Sequence, residues 1–106
     1  MPLPELEKIT RICKALSDPT RVRIFLFLTK KTFCVNAIVS FLNISQPAVS
    51  QHLKILRETG LVRAERRGYW MHYSANLKKV REFVNIISKI AEEKKEKKSK
   101  IEEQVL

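Results

Sequence analysis

The stretch ISQPAVSQHLKILRETGLV, Ile44 to Val62, decides how the rest of the chain is read. Ser45 is a favourable helix cap and Pro47 is tolerated in a first turn, so the spacing predicts a helix that starts near Gln46. The helix runs to about Thr59 and stops at Gly60, a residue suited to the left-handed conformation that ends helices. At about 100° per residue, Val49, Leu53 and Leu56 share one side, while Pro47, Ser50, Gln51 and Lys54 share the other. The first side suits a core. The second offers groups that donate and accept at base edges (Gln46, Ser50, Gln51), a cation (Lys54) and a small residue (Ala48) that permits close approach. Free amides and the positive dipole end of the first turn suit phosphate. Taken alone, the same residues describe an ordinary surface helix equally well; the flanking sequence decides between the two readings.

Upstream, Val35, Ile38, Val39 and Leu42 recur at helical spacing within Phe33 to Leu42, and Asn43-Ile44-Ser45 forms a short turn. The helix after that turn is therefore the second of a helix-turn-helix. Before it, Asp18 caps a helix from Pro19 to about Thr29, whose Val22, Ile24, Phe25, Leu26, Phe27 and Leu28 make it apolar nearly all round and predict a central core position. Leu6, Ile9, Ile12, Cys13 and Leu16 paint one stripe on a first helix, Leu6 to Leu16. Downstream, Leu61 to Glu65 and Tyr69 to Tyr73 are β-prone, with Arg66-Arg67-Gly68 between them, which predicts a hairpin with a basic tip. Arg63, Arg66 and Arg67 are placed to straddle phosphates beside a major groove, or to send one arginine into the minor groove. Trp70 and Tyr73 are read as packing the hairpin on the core. A last helix, about Leu77 to Ala91, carries Leu77, Val80, Phe83, Val84, Ile87 and Ile90 on one face. The expected fold is mainly α with a small β-hairpin: four helices, the hairpin, then one helix, a winged helix-turn-helix. Residues 1–92 are expected to form the winged helix-turn-helix domain, and 93–106 a charged helical extension or tail.

A chain of 106 residues holds one core. The net charge of +10, from 21 Lys and Arg against 11 Asp and Glu, attracts polyanions such as DNA, RNA or an acidic membrane without choosing among them. Lys94, Lys95, Lys97, Lys98 and Lys100 alternate with Glu92, Glu93, Glu96, Glu102 and Glu103, which reads as a solvated helix end rather than a polyanion-binding arm. No apolar run approaches the roughly 20 residues that span a bilayer, and MPLPELEKIT lacks the pattern of a signal peptide. A cytoplasmic protein without a membrane partner is expected. No nucleophile and base pairing or Gly-rich phosphate loop appears in a chain with only 2 glycines, so neither an enzyme nor a cofactor is expected. The competing classes are a winged-helix protein-interaction module and a non-specific nucleic-acid or RNA binder, the latter needing exposed aromatics for stacking.

Three separated runs, ALSDPTRVRIFLFL (Ala15 to Leu28), the Ile44 to Val62 stretch and RRGYWMHYS (Arg66 to Ser74), together resemble the ArsR/SmtB family of bacterial and archaeal repressors. The likeness extends over about Leu6 to Ile90. It implies a winged-helix homodimer joined through its first and last helices, by Leu6, Ile9, Ile12, Cys13, Val80, Phe83, Val84, Ile87 and Ile90. It also implies that Ser45, Gln46, Ala48, Ser50, Gln51 and His52 lie on or beside a helix that reads double-stranded DNA, and that the outcome is repression. The terminal apolar stripes fit this independently, since both need a partner surface. His52 sits about 60° from the core centre of its helix, equally suited to a half-buried hydrogen bond and to a phosphate contact; His72 is read as structural.

Many members of that family release DNA on binding a metal or metalloid, and this chain departs from their ligand sets. Where the metalloid sensors resemble ELCVCDL, Thr32 to Ile38 retains only Cys34 of the two cysteines and the acid, with Asn36 and Ala37 in place of the other two. The interfacial zinc pattern needs Asp and His on the last helix, and Lys78 to Ile90 has neither. The usual metal sites are thus expected to be absent and the effector is open. Cys13 and Cys34 form no CxxC pair. They are either a redox or soft-metal pair or small apolar fillers, and their places on a stripe and beside a core segment favour fillers.

Overall fold

A computed structural model describes the backbone of residues 2–105 and the side chains of residues 2–92. Its elements are α1 (Leu3–Ala15), α2 (Pro19–Leu28), β1 (Phe33–Cys34), α3 (Val35–Leu42), α4 (Gln46–Glu58), β2 (Val62–Arg67), β3 (Trp70–Ala75) and α5 (Leu77–Val105). Five helices and a small sheet make a winged helix-turn-helix. The side chains of the charged segment expected over 93–106 lie outside the described residues, and the α5 backbone runs through it to Val105.

Local chemistry sets the boundaries. Asp18 caps α2, its carboxylate accepting from the Arg21 amide at 2.9 Å with Pro19 in the first turn. Ser45 caps α4 through the Ala48 amide at 3.3 Å. Between them α3 ends on Asn43 at φ 52°, ψ 49°, a left-handed position that Asn tolerates better than other side-chain-bearing residues. The α4 terminus is closed by Gly60 at φ 81°: its amide donates to the Arg57 carbonyl at 3.0 Å, and the Leu61 amide to that of Leu56 at 3.1 Å. This is the paired bonding of a Schellman motif, and the accompanying apolar contact comes from Leu56 and Leu61, both buried.

The sheet order is β1-β3-β2, all antiparallel. Two expectations are corrected here. The third helix does not begin at Phe33: Phe33 and Cys34 are extended and pair with Tyr73 and His72, and the helix starts at Val35. Arg66 and Arg67 are not in the turn but at the end of β2, opposite Met71 and Trp70, so the turn is Gly68-Tyr69 alone. Gly68 has φ 65° and Tyr69 is not left-handed, the signature of a type II′ hairpin turn.

The core joins Ile12 and Ala15 of α1, Ile24, Phe25 and Leu28 of α2, Ile38 of α3, Val49, Leu53 and Leu56 of α4, and Leu61 and Val62 leading into β2. Burying a side chain of this kind contributes about 1.5–3 kcal/mol, so α4 is anchored by three such groups on one face. The expectation that α2 is buried all round is corrected: Leu26 is exposed, and Phe27 is half-buried and stacks on Phe33 with ring centroids 4.1 Å apart. Among the described residues of α5, Val80 and Phe83 pack against the core; Val84 and Ile87 continue the stripe into solvent.

Candidate nucleic-acid interface

With Val49, Leu53 and Leu56 pointing inward, the opposite side of α4 is left exposed: Gln46, Pro47, Ser50, Gln51 and Lys54, with Ala48 half-buried. These are residues expected on the reading side, presented as one row from the helix start. The row continues to Arg57, one turn beyond Lys54, which sequence reasoning passed over. Spacing of three from Lys54 was the available signal. Lys54, Arg57, Ser50 and Leu53 line an open cavity of about 390 Å³ with Glu58 and with Tyr73 of β3, so helix and wing share one groove.

His52 is turned the other way. It is half-buried, its Nδ1 accepts from Arg21 Nε at 3.4 Å, and its Nε2 lies 3.9 Å from the Asp18 carboxylate. The half-buried hydrogen bond, one of its two expected roles, is formed here, at the joint between α2 and α4.

The three wing arginines are not brought together. Successive strand residues face opposite sides, so Arg66 shares a face with Val62 and Ala64, whereas Arg63, Glu65 and Arg67 share the other. Arg63 lies at the base of the wing, its guanidinium donating to Asn76 Oδ1 at 3.1 Å, while Arg67 meets Glu65 at 3.4 Å near the tip. Arg66 has no ion pair among the described residues. Tyr73 packs against the core as expected. Trp70 does not, and that expectation is corrected: it is 57% exposed and Tyr69 is 95% exposed, because both sit at the hairpin tip beyond the reach of the helices. His72 is half-buried with Nδ1 3.3 Å from the Trp70 carbonyl oxygen.

On the terminal helices Leu6 is 50% exposed and Val84 52%, Ile87 is exposed, and Ile9, Val80, Phe83 and Ile90 are partly covered. Ile12, expected at a subunit interface, is instead 3% exposed within the protomer's own core. Leu3, which the stripe as read did not include, extends the exposed apolar surface of α1. Cys13 is exposed on the α1 stripe, and Cys34 is half-buried on a different element.

The family model described as the bacterial regulatory protein arsR family matches residues 18–64, from the cap of α2 through the first residues of β2. An HTH-type transcriptional regulator of Methanocaldococcus jannaschii is 34% identical over 89 residues, covering 83% of this chain and 100% of that protein. The transcriptional repressor SdpR of Bacillus subtilis is 32% identical over 77 residues, covering 73% of this chain and 86% of the repressor. Matches to several other curated repressors span about half of their length. Among solved structures, a homodimeric winged helix-turn-helix DNA-binding domain from Mycobacterium bovis superposes with TM-score 0.68 at 25% identity, covering 87% of this chain and 84% of that one.

Proposed function

The chain belongs to the arsR family of regulatory proteins, and from that premise we propose that two copies of it bind double-stranded DNA sequence-specifically as a transcriptional repressor. The observation that carries the reading is the division of α4: three buried anchors hold the helix, and a continuous row of hydrogen-bonding and cationic side chains is left in water. Gln46, Ser50 and Gln51 suit base edges, since amide and hydroxyl groups both donate and accept. Lys54, Arg57, Arg66 and Arg67 suit the flanking phosphates, which give affinity and register without sequence information.

Pairing is supported by the half-exposed apolar stripes on α1 and α5 and by the homodimeric neighbour. Two copies give two reading helices, whose separation on one face of a duplex must match a helical turn or a multiple of it. Repression rests on the kinship to SdpR. The reading is that of a cytoplasmic, non-catalytic protein; none of the described helices is long and apolar enough to cross a membrane.

One observation favours a second reading. Tyr69 and Trp70 stand exposed at the wing tip, and exposed aromatic rings are what a non-specific single-strand binder uses for stacking. A single titration series separates the two. Sites are first selected from a random duplex pool, and affinity is then measured for a selected duplex, a random duplex and RNA across salt concentrations. A specific reader holds the selected duplex on the order of 10³-fold or more tighter than the random one. Equal affinity for all three, falling together with salt, replaces the repressor reading with the single-strand one.

A further inference from the structure

Flanking the reading row and sharing Glu58 with the groove beside Lys54 and Arg57, a second open cavity of about 490 Å³ lies between the end of α1, the start of α2 and the last turn of α4. Its volume falls in the range typical of small-molecule sites, roughly 300–1,000 Å³. Ala15 and Ile55 supply an apolar floor, and Arg11, Lys14 and Arg21 bring three cations against one carboxylate, Glu58. The ion pairs among the described residues are His52–Asp18 and Arg67–Glu65, so none of the three cations is neutralised by a carboxylate within 4.0 Å. Arg11 and Arg21 rest instead on main-chain oxygens: Arg11 Nη2 donates to the Glu58 carbonyl at 3.1 Å, and Arg21 Nη1 to the Ala15 carbonyl at 3.0 Å.

The cavity is also clear of the surface that a second copy would cover. Arg11 and Ala15 are each two positions from Cys13, so at about 100° per residue they lie roughly 160° round α1 from it, on the side opposite the exposed stripe of Leu6 and Cys13. Pairing through that stripe leaves Arg11 and Ala15 uncovered, with Lys14, about 100° from Cys13, at the edge between the two sides.

We propose that this cavity is an effector site for a small amphipathic carboxylate, whose apolar body lies on Ala15 and Ile55 and whose charge meets Arg11 and Lys14. The regulatory part rests on the DNA-binding reading given above; the binding part does not. An arriving carboxylate competes with the Glu58 carbonyl for Arg11, and a charge-assisted bond to a carboxylate is the stronger of the two. The contact it displaces ties α1, which carries the pairing surface, to the end of α4, which carries the reading row. Occupancy therefore loosens the orientation of the reading helices relative to each other and weakens the hold on DNA.

The test uses the full-length chain, 2-naphthoate as probe and 2-naphthylmethanol as its uncharged counterpart, at constant ionic strength. Amide shifts on titration are expected from Arg11 to Ser17 and from Ile55 to Thr59. The alcohol, and an R11Q/K14Q variant toward naphthoate, bind about tenfold more weakly, the loss expected for removing charged hydrogen bonds. If the double variant does not fold, Lys14→Gln alone carries the comparison, because the exposed Lys14 side chain makes no hydrogen bond among the described residues. Saturating naphthoate lowers affinity for a selected duplex about fivefold or more, and does so less in the variant. Shifts confined to the wing or to Leu26 and Phe41, equal binding of the alcohol, or unchanged DNA affinity at saturation would each overturn the proposal. Failure to bind DNA without naphthoate counts against the repressor reading instead, and the shift titration still decides the site.

Discussion

The protein exposes two surfaces of opposite chemistry. Along α1 and α5 lie Leu3, Leu6, Val84 and Ile87, half or more in water at several positions, with few polar groups between them on the same stripe. Along α4 and the wing lie Gln46, Ser50, Gln51, Lys54, Arg57, Arg66 and Arg67. The first surface is unfavourable in water and becomes favourable when another apolar face covers it. The second is fully solvated on its own and gains only from a polyanion that replaces its counterions. One surface is therefore suited to permanent assembly and the other to reversible attachment, and the single rigid core between them is what makes the second depend on the first.

The strongest way to break that contrast is to give the first surface the chemistry of the second. In an L6E/V84E variant the carboxylates would have to enter the pairing interface unpaired, a cost of several kcal/mol. Sedimentation is expected to find a dimer for the native chain and a monomer for the variant, and affinity for a selected duplex should fall roughly 100-fold or more because one reading helix remains. A variant that stays dimeric would remove the assembly role from that face. A smaller change sharpens the reading surface: Gln51→Ala is expected to cost about 1–3 kcal/mol of discrimination at the base pairs it reads, with affinity for random duplex unchanged. Selectivity that survives the change means α4 is not seated as described. Smallest are the phosphate cations. Arg57→Ala should weaken all duplexes alike and flatten the salt slope by about 0.9, and Arg67→Ala should do so to a lesser degree, because Glu65 already offsets part of its charge. An equal effect of both would mean that the Arg67–Glu65 pair opens on DNA.

Much of this was legible from sequence wherever a single residue type settles a local conformation. Asp18, Ser45 and Gly60 mark their helix ends because capping and left-handed φ depend on the residue itself. The inward row of α4 followed from period alone. What was not legible depended on partners distant in the chain. The two residues of β1 have no periodicity, and their extended form exists because β3, about forty positions on, offers a free edge. Arg66 and Arg67 read as a turn, since a II′ turn of two residues and a longer loop share the same Gly signal; the register of β2 on β3 decided it. His52 was ambiguous on its wheel position, and its half-buried role became visible only once Arg21 and Asp18 were set beside it. Ile12 lies on the same stripe as Leu6, but at its inner edge: Cys13, one residue on, is exposed, so the stripe divides between solvent and core across its width.

The Schellman closure at Gly60 joins the reading helix to the first wing strand with no slack, since Leu61 is bonded back to Leu56 and Val62 is already in β2. The angular offset between the helix proposed to enter the groove and the wing proposed to flank it is thus written into a handful of consecutive positions instead of a tether. A descendant assembled by recombination keeps that calibration only when it inherits Ser45 through Gly68 as one cassette. A crossover or a one-residue insertion between Thr59 and Val62 would leave both parts intact and out of tune.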